Sequence, residues 1–204
     1  MNRMAVSLVT ALGLLWVLQP ENSASSLAAS LHDARSKLER REVHIPIKRF
    51  SLIDQSNRIF KFEDVRGKIL LVDFAYTTCP DLCPLLTATM AAVQRELRPD
   101  ERSRVYLLTV TTDPEVDSPA VLAAYARRYG ADLSNWSFLT GHEPSLAKVW
   151  RNFGVGVKKI SRGLVNHTAL TAIVDAEGVM RFGYYGTAPD SKTVLRDMRS
   201  LRAP

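Results

Sequence analysis

The chain has 204 residues, enough for one ordinary domain with its own core once a targeting segment is set aside. Its apolar fraction of 46% and charged fraction of 24% are those of a globular protein. The formal charge is +6, but the cations are scattered in pairs (Arg40-Arg41, Arg127-Arg128, Lys158-Lys159) with no basic block interleaved with aromatics; this argues against nucleic acid as a partner and leaves an acidic protein or an anionic membrane surface.

Residues 1–25 read as a targeting segment. Arg3 supplies a positive start, Ala5 to Leu18 form an apolar run of 14 residues, Pro20 breaks it, and Ser23, Ala24, Ser25 and Ser26 follow. The run is short of the roughly 20 residues of a full membrane span, and the cleavage site is not clean. A removed signal peptide and a retained N-terminal anchor both fit. Either one places the domain in an exported compartment, periplasmic or anchored to the inner membrane facing the periplasm. Residues 26–45, rich in serine and charge, read as a spacer with some helical content, and 46–204 as the folded domain.

Phe50–Asp54 and Arg58–Phe62 alternate apolar and polar around the turn residues Asp54-Gln55-Ser56-Asn57, the pattern of a β-hairpin. Leu70 to Tyr76 is an apolar run that reads as a buried strand, and a helix follows to about Leu97. Val105 to Val110 is a second core strand. Ser118-Pro119 gives an N-cap and a first-turn proline for a helix ending at Gly130. Trp136–Leu139 is a short strand, and Pro144–Phe153 a helix closed by Gly154. Val155–Ile160 reads as extended. Ala169–Val174 and Val179–Tyr185 are strands joined by Asp175-Ala176-Glu177-Gly178, and a helix over 188–201 ends the chain. A βαβ unit followed by ββα, with a hairpin in front, predicts an α/β thioredoxin-like fold with an added N-terminal β-hairpin.

The only two cysteines, Cys79 and Cys83, fall where the first core strand hands over to its helix. Unpaired N–H groups and the positive end of the helix dipole favour thiolates there. A structural disulfide closing so small a loop gains little from chain entropy, so the spacing points to a soft-metal site or a redox pair. Two sulfurs rarely complete a metal site. His32 and His44 lie in the expected spacer, and His142 follows Gly141 in a turn. His167 sits in the loop before the strand Ala169–Val174, which in a thioredoxin-like layout faces the cysteine turn. There is no proline between Pro144 and Pro189. By position alone His167 is either a third ligand or a histidine satisfied within its loop.

The stretches FSLIDQ (51–55 with Phe50), DVRGKILLVDFAYTTCPDLCP, TTDPEVDSP, LTG at 139–141 and VNHTALTAIVDAEG resemble the Sco/SenC family, from about Phe50 to Gly186. The resemblance implies a thioredoxin-fold copper chaperone that helps assemble the binuclear copper centre of cytochrome c oxidase. It implies Cys79, Cys83 and His167 as ligands for Cu(I) or Cu(II), and Asp113 near the site as an aid to docking. The implied partners are oxidase subunit II or a similar copper client, a copper donor and a thiol reductant. A metallochaperone is then the reading; the alternative is a thiol–disulfide oxidoreductase that reduces the client's cysteines through Cys79 and Cys83. The chain departs from the family pattern at Asn166, where an Asp is usual, at Val116, where an Arg is usual, and at Asn57, in place of a hairpin glycine.

Overall fold

The computed structural model describes residues 40–186 and 188–201. The expected signal segment or anchor, and the spacer up to residue 39, lie outside the described residues. The strands are β1 (Arg40–Pro46), β2 (Ser51–Asp54), β3 (Ile59–Lys61), β4 (Ile69–Ala75), β5 (Val105–Thr111), β6 (Trp136–Thr140), β7 (Val157–Ser161), β8 (Leu164–His167), β9 (Leu170–Val174) and β10 (Val179–Tyr185). The helices are α1 (Cys83–Glu96), the short α2 (Pro99–Arg102), α3 (Pro119–Arg128), α4 (Glu143–Asn152) and α5 (Ser191–Ser200). Among the described residues no helix is long and apolar enough to cross a membrane.

Eight strands form one sheet in the order β1-β10-β9-β4-β5-β6-β2-β3, and β7-β8 pair separately. β4, β5 and β6 run parallel, as their helical crossovers require, and β9 lies antiparallel on the other side of β4. β4 is therefore central and buried at every position. Its alternate residues face two layers. Leu70, Val72 and Phe74 pack with Leu146, Val149, Trp150 and Phe153 around α4. Ile69 and Leu71 pack with Met90 and Val93 of α1, Leu122 of α3 and Val194 of α5. This is the expected α/β architecture, with the β2–β3 hairpin added at the β6 edge.

The hairpin turn is built on Asp54. Its carboxylate accepts the N–H groups of Ser56 (2.8 Å) and Arg58 (2.9 Å), and Asn57 takes the left-handed conformation at φ 58° that lets the chain reverse. Ser118 caps α3 as its sequence predicts, accepting from the Val121 N–H.

The structure differs from the sequence reading at two places. Arg40–Ile45, read as the end of the spacer, is an edge strand paired with β10. Its charges suit that edge: the Arg40 guanidinium lies 4.6 Å from the Phe182 ring centre and that of Arg41 lies 4.9 Å from Tyr185, while Val43 packs on the core. The second is at Val157–His167. Here the chain forms a separate small hairpin of its own, where sequence suggested one extended stretch and a loop.

Asp73 sits in the middle of β4 on the α1 face, fully buried, and neither carboxylate oxygen has a protein hydrogen-bond partner; Thr109 and Thr171 stand opposite it in register without closing one. Burial raises its pKa from 3.8 to about 7. The unfolded carboxyl ionises from about pH 4, whereas the folded one stays protonated to about pH 7, so stability falls as pH rises through that window, by on the order of 4 kcal/mol. Asp73→Asn is expected to remove this slope, so that the variant gains on the parent between about pH 4 and about pH 7.5. Urea unfolding at the two pH values checks it; parallel pH profiles for parent and variant would refute it.

Candidate metal centre

β4 delivers Tyr76 and then a turn. The turn is fixed at its start by Asp117, whose carboxylate accepts the Thr77 N–H and the Thr77 hydroxyl (2.5 Å), and also the Thr111 hydroxyl of β5 (2.6 Å). Asp117 is fully buried, and burial raises its carboxyl above the usual range despite those donors. Cys79 lies in the turn, partly exposed, with its N–H bonded to the Tyr76 carbonyl. Cys83 opens α1 and is 1% exposed. Both are free thiols.

The two sulfurs are not equivalent, which corrects the expectation of two activated thiols. Burial works against the Cys79 thiolate. Hydrogen bonds from the Cys83 side chain, the Asp81 and Cys83 backbone and Tyr76 outweigh it, and the Cys79 pKa is lowered. Burial pushes the Cys83 thiol up, and donation to Cys79 pushes it further. The helix start therefore activates one sulfur and leaves the other protonated.

His167 ends β8. Its Nδ1 lies 3.0 Å from the carbonyl of Thr168. A carbonyl only accepts, so Nδ1 carries the proton, and the Nε2 lone pair faces the Cys83 sulfur at 3.7 Å. Burial lowers the imidazole pKa, with the Thr168 carbonyl opposing it, which favours the neutral ring. The Tyr76 ring meets it edge-on, centroids 5.8 Å apart. The hairpin that carries His167 is tied down from three directions. The Gly163 N–H donates to Asp113 Oδ2 (3.1 Å), the Thr78 hydroxyl donates to the Gly163 carbonyl (3.0 Å), and Lys159 pairs with Glu115. Gly163 has φ +76°, a conformation that favours glycine at this tip.

Cys79, Cys83 and His167 all line one cavity of about 210 Å³, with Tyr76 and Val165 among its walls. Among the described residues no three His, Cys, Asp or Glu side chains are already closed around a common point. The Cys83–His167 pair is nonetheless spaced for one ion. Metal–sulfur and metal–nitrogen bonds of the lengths seen with zinc place their two donor atoms roughly 3.5–3.8 Å apart. A set of two sulfurs and one imidazole suits a soft or borderline ion, and the Thr168 carbonyl supplies the outer contact that orients the ring. The structure leaves the other histidines elsewhere. His44 is exposed on β1 with its Nδ1 2.7 Å from the Arg181 guanidinium, and His142 is exposed at the start of α4; His32 lies outside the described residues. Asp113 is close to the site, but it is 2% exposed and its carboxylate holds the hairpin. In this conformation it does not offer the docking surface that the resemblance implies. Tyr76 and Thr168 were missed by sequence reasoning. Only their adjacency to Cys79 and His167 signalled them.

The family model SCO1/SenC matches residues 39–203. The chain belongs to the SCO1/SenC family. Among solved structures it is similar to a SCO1/SenC family lipoprotein from Bacillus anthracis str. Ames, at 28% identity and TM-score 0.72, over 79% of this chain and 97% of that one. It is similar to BsSco, described as a member of the Sco family of cytochrome c oxidase assembly proteins with a disulfide switch, at 27% identity and TM-score 0.68, over 79% and 95%. It is also similar to Bradyrhizobium japonicum ScoI with copper bound, at 26% identity and TM-score 0.65, over 77% and 99%. The fold of this Sco-family chain is thus the thioredoxin-like one expected, and the cavity lies at the C-terminal end of its central strand.

The inequality of the thiols is testable. At neutral pH iodoacetamide is expected to alkylate Cys79 roughly tenfold or more faster than Cys83, following thiolate fraction and access. Peptide mass spectrometry on the reduced apo protein reads the order. Equal rates, or Cys83 first, would contradict the geometry.

Proposed function

We propose that this chain is an exported copper carrier for cytochrome c oxidase assembly, with Cys79, Cys83 and His167 as the ligands of its cargo. The observation that carries this is the 3.7 Å approach of a neutral imidazole nitrogen to Cys83 in a cavity that Cys79 also lines. Thiolates select Cu(I), and the imidazole suits copper in either oxidation state. Cys79 offers a sulfur already inclined to ionise. Cys83 gives up its proton when the ion binds, so uptake releases acid and weakens as pH falls. The partly exposed Cys79 is the ligand an incoming thiol of a client, such as oxidase subunit II, reaches first. A copper donor and a thiol reductant complete the cycle. The targeting pattern at 1–25 and the similarity to a SCO1/SenC family lipoprotein support a periplasmic or membrane-anchored location.

The unequal thiols favour a second reading, reduction of a client disulfide. The Cys79 thiolate attacks one client sulfur and expels the other as a thiolate. Cys83, losing its proton, then attacks the Cys79 sulfur and releases the second client thiol, leaving Cys79–Cys83 oxidised and the client reduced. An external thiol reductant restores the pair.

His167→Ala separates the two. A dithiol cycle needs only the sulfurs, so the variant still forms and reduces its Cys79–Cys83 disulfide. Its Cu(II) affinity is expected to fall more than about 100-fold, beyond the upper figure for loss of an outer-shell partner. Competition titration of copper, with X-ray absorption of the parent showing two sulfurs and one nitrogen, measures it. If the variant restores oxidase activity in a deletion strain while Cys79→Ser does not, thiol chemistry is the function. The comparison requires that the variant melt close to the parent.

A further inference from the structure

The linker that joins β1 to β2 runs alongside the second half of α4. The two are clamped by a reciprocal pair of bonds: the Lys48 N–H donates to Asn152 Oδ1 (3.0 Å), and Asn152 Nδ2 donates to the Lys48 carbonyl (2.9 Å). Beside this clamp is a cavity of about 570 Å³ whose rim carries four cations, Lys48, Arg49, Lys148 and Arg151. Only Arg49 meets a carboxylate, Glu63 at 3.3 Å. Lys48, Lys148 and Arg151 form no ion pair among the described residues. Arg151 stands in the last turn of α4, where a cation offsets the exposed carbonyls, but that accounts for one charge of the four. Lys148 lies one turn earlier on the same face. The wall between the cations is apolar: Ile45 is 38% exposed and Phe50 half-buried.

We propose that this groove is a second binding site, one that seats the phosphate headgroups of an anionic membrane surface. The proposal rests in part on the exported location argued above. Three neighbouring cations that pair with no anion among the described residues call for an anionic ligand, and the apolar wall suits the glycerol and acyl carbons beneath a headgroup phosphate. Position favours lipid over an acidic client protein. Ile45 and Pro46 pair with Met180 and Val179; Met180 pairs with Val174, and Val174 with Leu70, near the start of β4. The thiols follow the other end of β4. The β1 side of the rim thus lies at the far end of β4 from the thiols, and a membrane held along it leaves the thiol end free to face outward. The expected apolar run ending at Leu18 lies 22 residues before Arg40 in sequence; retained as an anchor, it would keep the local lipid concentration high, so that a weak groove suffices.

The test uses the full chain in phosphatidylcholine vesicles with and without phosphatidylglycerol, footprinted by acetylation of lysine amines. With the anionic lipid, Lys48 and Lys148 are expected to react at least about fivefold more slowly, and high salt to restore them, while Lys158 on the β7–β8 hairpin is unchanged. In Lys148→Glu/Arg151→Glu, both exposed positions, Lys48 is expected to lose that protection while copper loading stays as in the parent. Equal labelling with and without the anionic lipid overturns the proposal. So do equal slowing at Lys158, and protection of Lys48 that survives the double substitution. Protection as strong from inorganic phosphate or poly-glutamate without vesicles also overturns it, in favour of a free anion or an acidic peptide. Copper binding is read separately, so failure of the groove leaves the carrier reading standing.

Discussion

The site depends on one contact made across 84 positions of sequence, His167 Nε2 against Cys83 Sγ. An imidazole serves there only if it is neutral and its free nitrogen points at the sulfur. Thr168, the next residue, meets both needs by accepting the Nδ1 proton, which fixes the tautomer. The edge of Tyr76 then limits rotation of the ring. Each of these holds is local to its own strand end. What brings the two strand ends together is the sheet: β9 lies antiparallel to β4 and brings its first residues up beside the last residues of β4. The antiparallel pairing on one side of β4 and the parallel pairing on the other are therefore what make the centre, and the helices serve chiefly to bury both faces of the strands that carry it.

The same burial makes the two sulfurs different. A helix start favours a thiolate, but desolvation of a wholly buried sulfur in an apolar cluster with Ala75, Tyr76 and Val165 opposes it. Cys79, outside the helix and partly in water, receives the donors. Cys83, inside it, donates. Nothing in the chemistry of either residue distinguishes them; the four-residue offset across a proline-bracketed turn does. That asymmetry suits a carrier, which needs an exposed ligand for exchange and a sheltered one for retention. It equally suits a dithiol, which needs an attacking and a resolving sulfur.

Much of this was legible because the strong signals are short range. The Val- and Leu-rich run before the cysteines, the Ser118-Pro119 cap and the Asp175–Gly178 turn each specify their element locally, and the element order then fixes the sheet. Arg40–Ile45 hid because an edge strand whose arginines lie over aromatic rings has the composition of a solvated spacer. The β7–β8 hairpin hid for a related reason: Lys158, Lys159 and Ile160 are all exposed, so no alternation of burial announces a strand. The family resemblance implies Asp113, at a strand end near the site, as an aid to docking. Its actual role, holding the Gly163 N–H fifty residues away, is a tertiary bond that no local pattern encodes.

That hairpin also bears on how the carrier proposed above would release its cargo. β7 and β8 pair with each other and with no strand of the main sheet. Val165 of β8 packs into the apolar cluster and Val157 of β7 packs against it, His167 meets Cys83 and Tyr76, and the polar ties are the Gly163 bonds, Lys159–Glu115 and the Gly156–Thr168 link. Exposed ion pairs and single hydrogen bonds each contribute about 1 kcal/mol or less. An element held by so few of them opens at far lower cost than the global unfolding free energy. Lifting the hairpin would withdraw His167 and uncover Cys83, which Val165 helps bury, while the strand pairing of β4 is kept. For the carrier proposed above, the imidazole would leave first while the two sulfurs stay with β4 and α1, because β7 and β8 stand outside the main sheet.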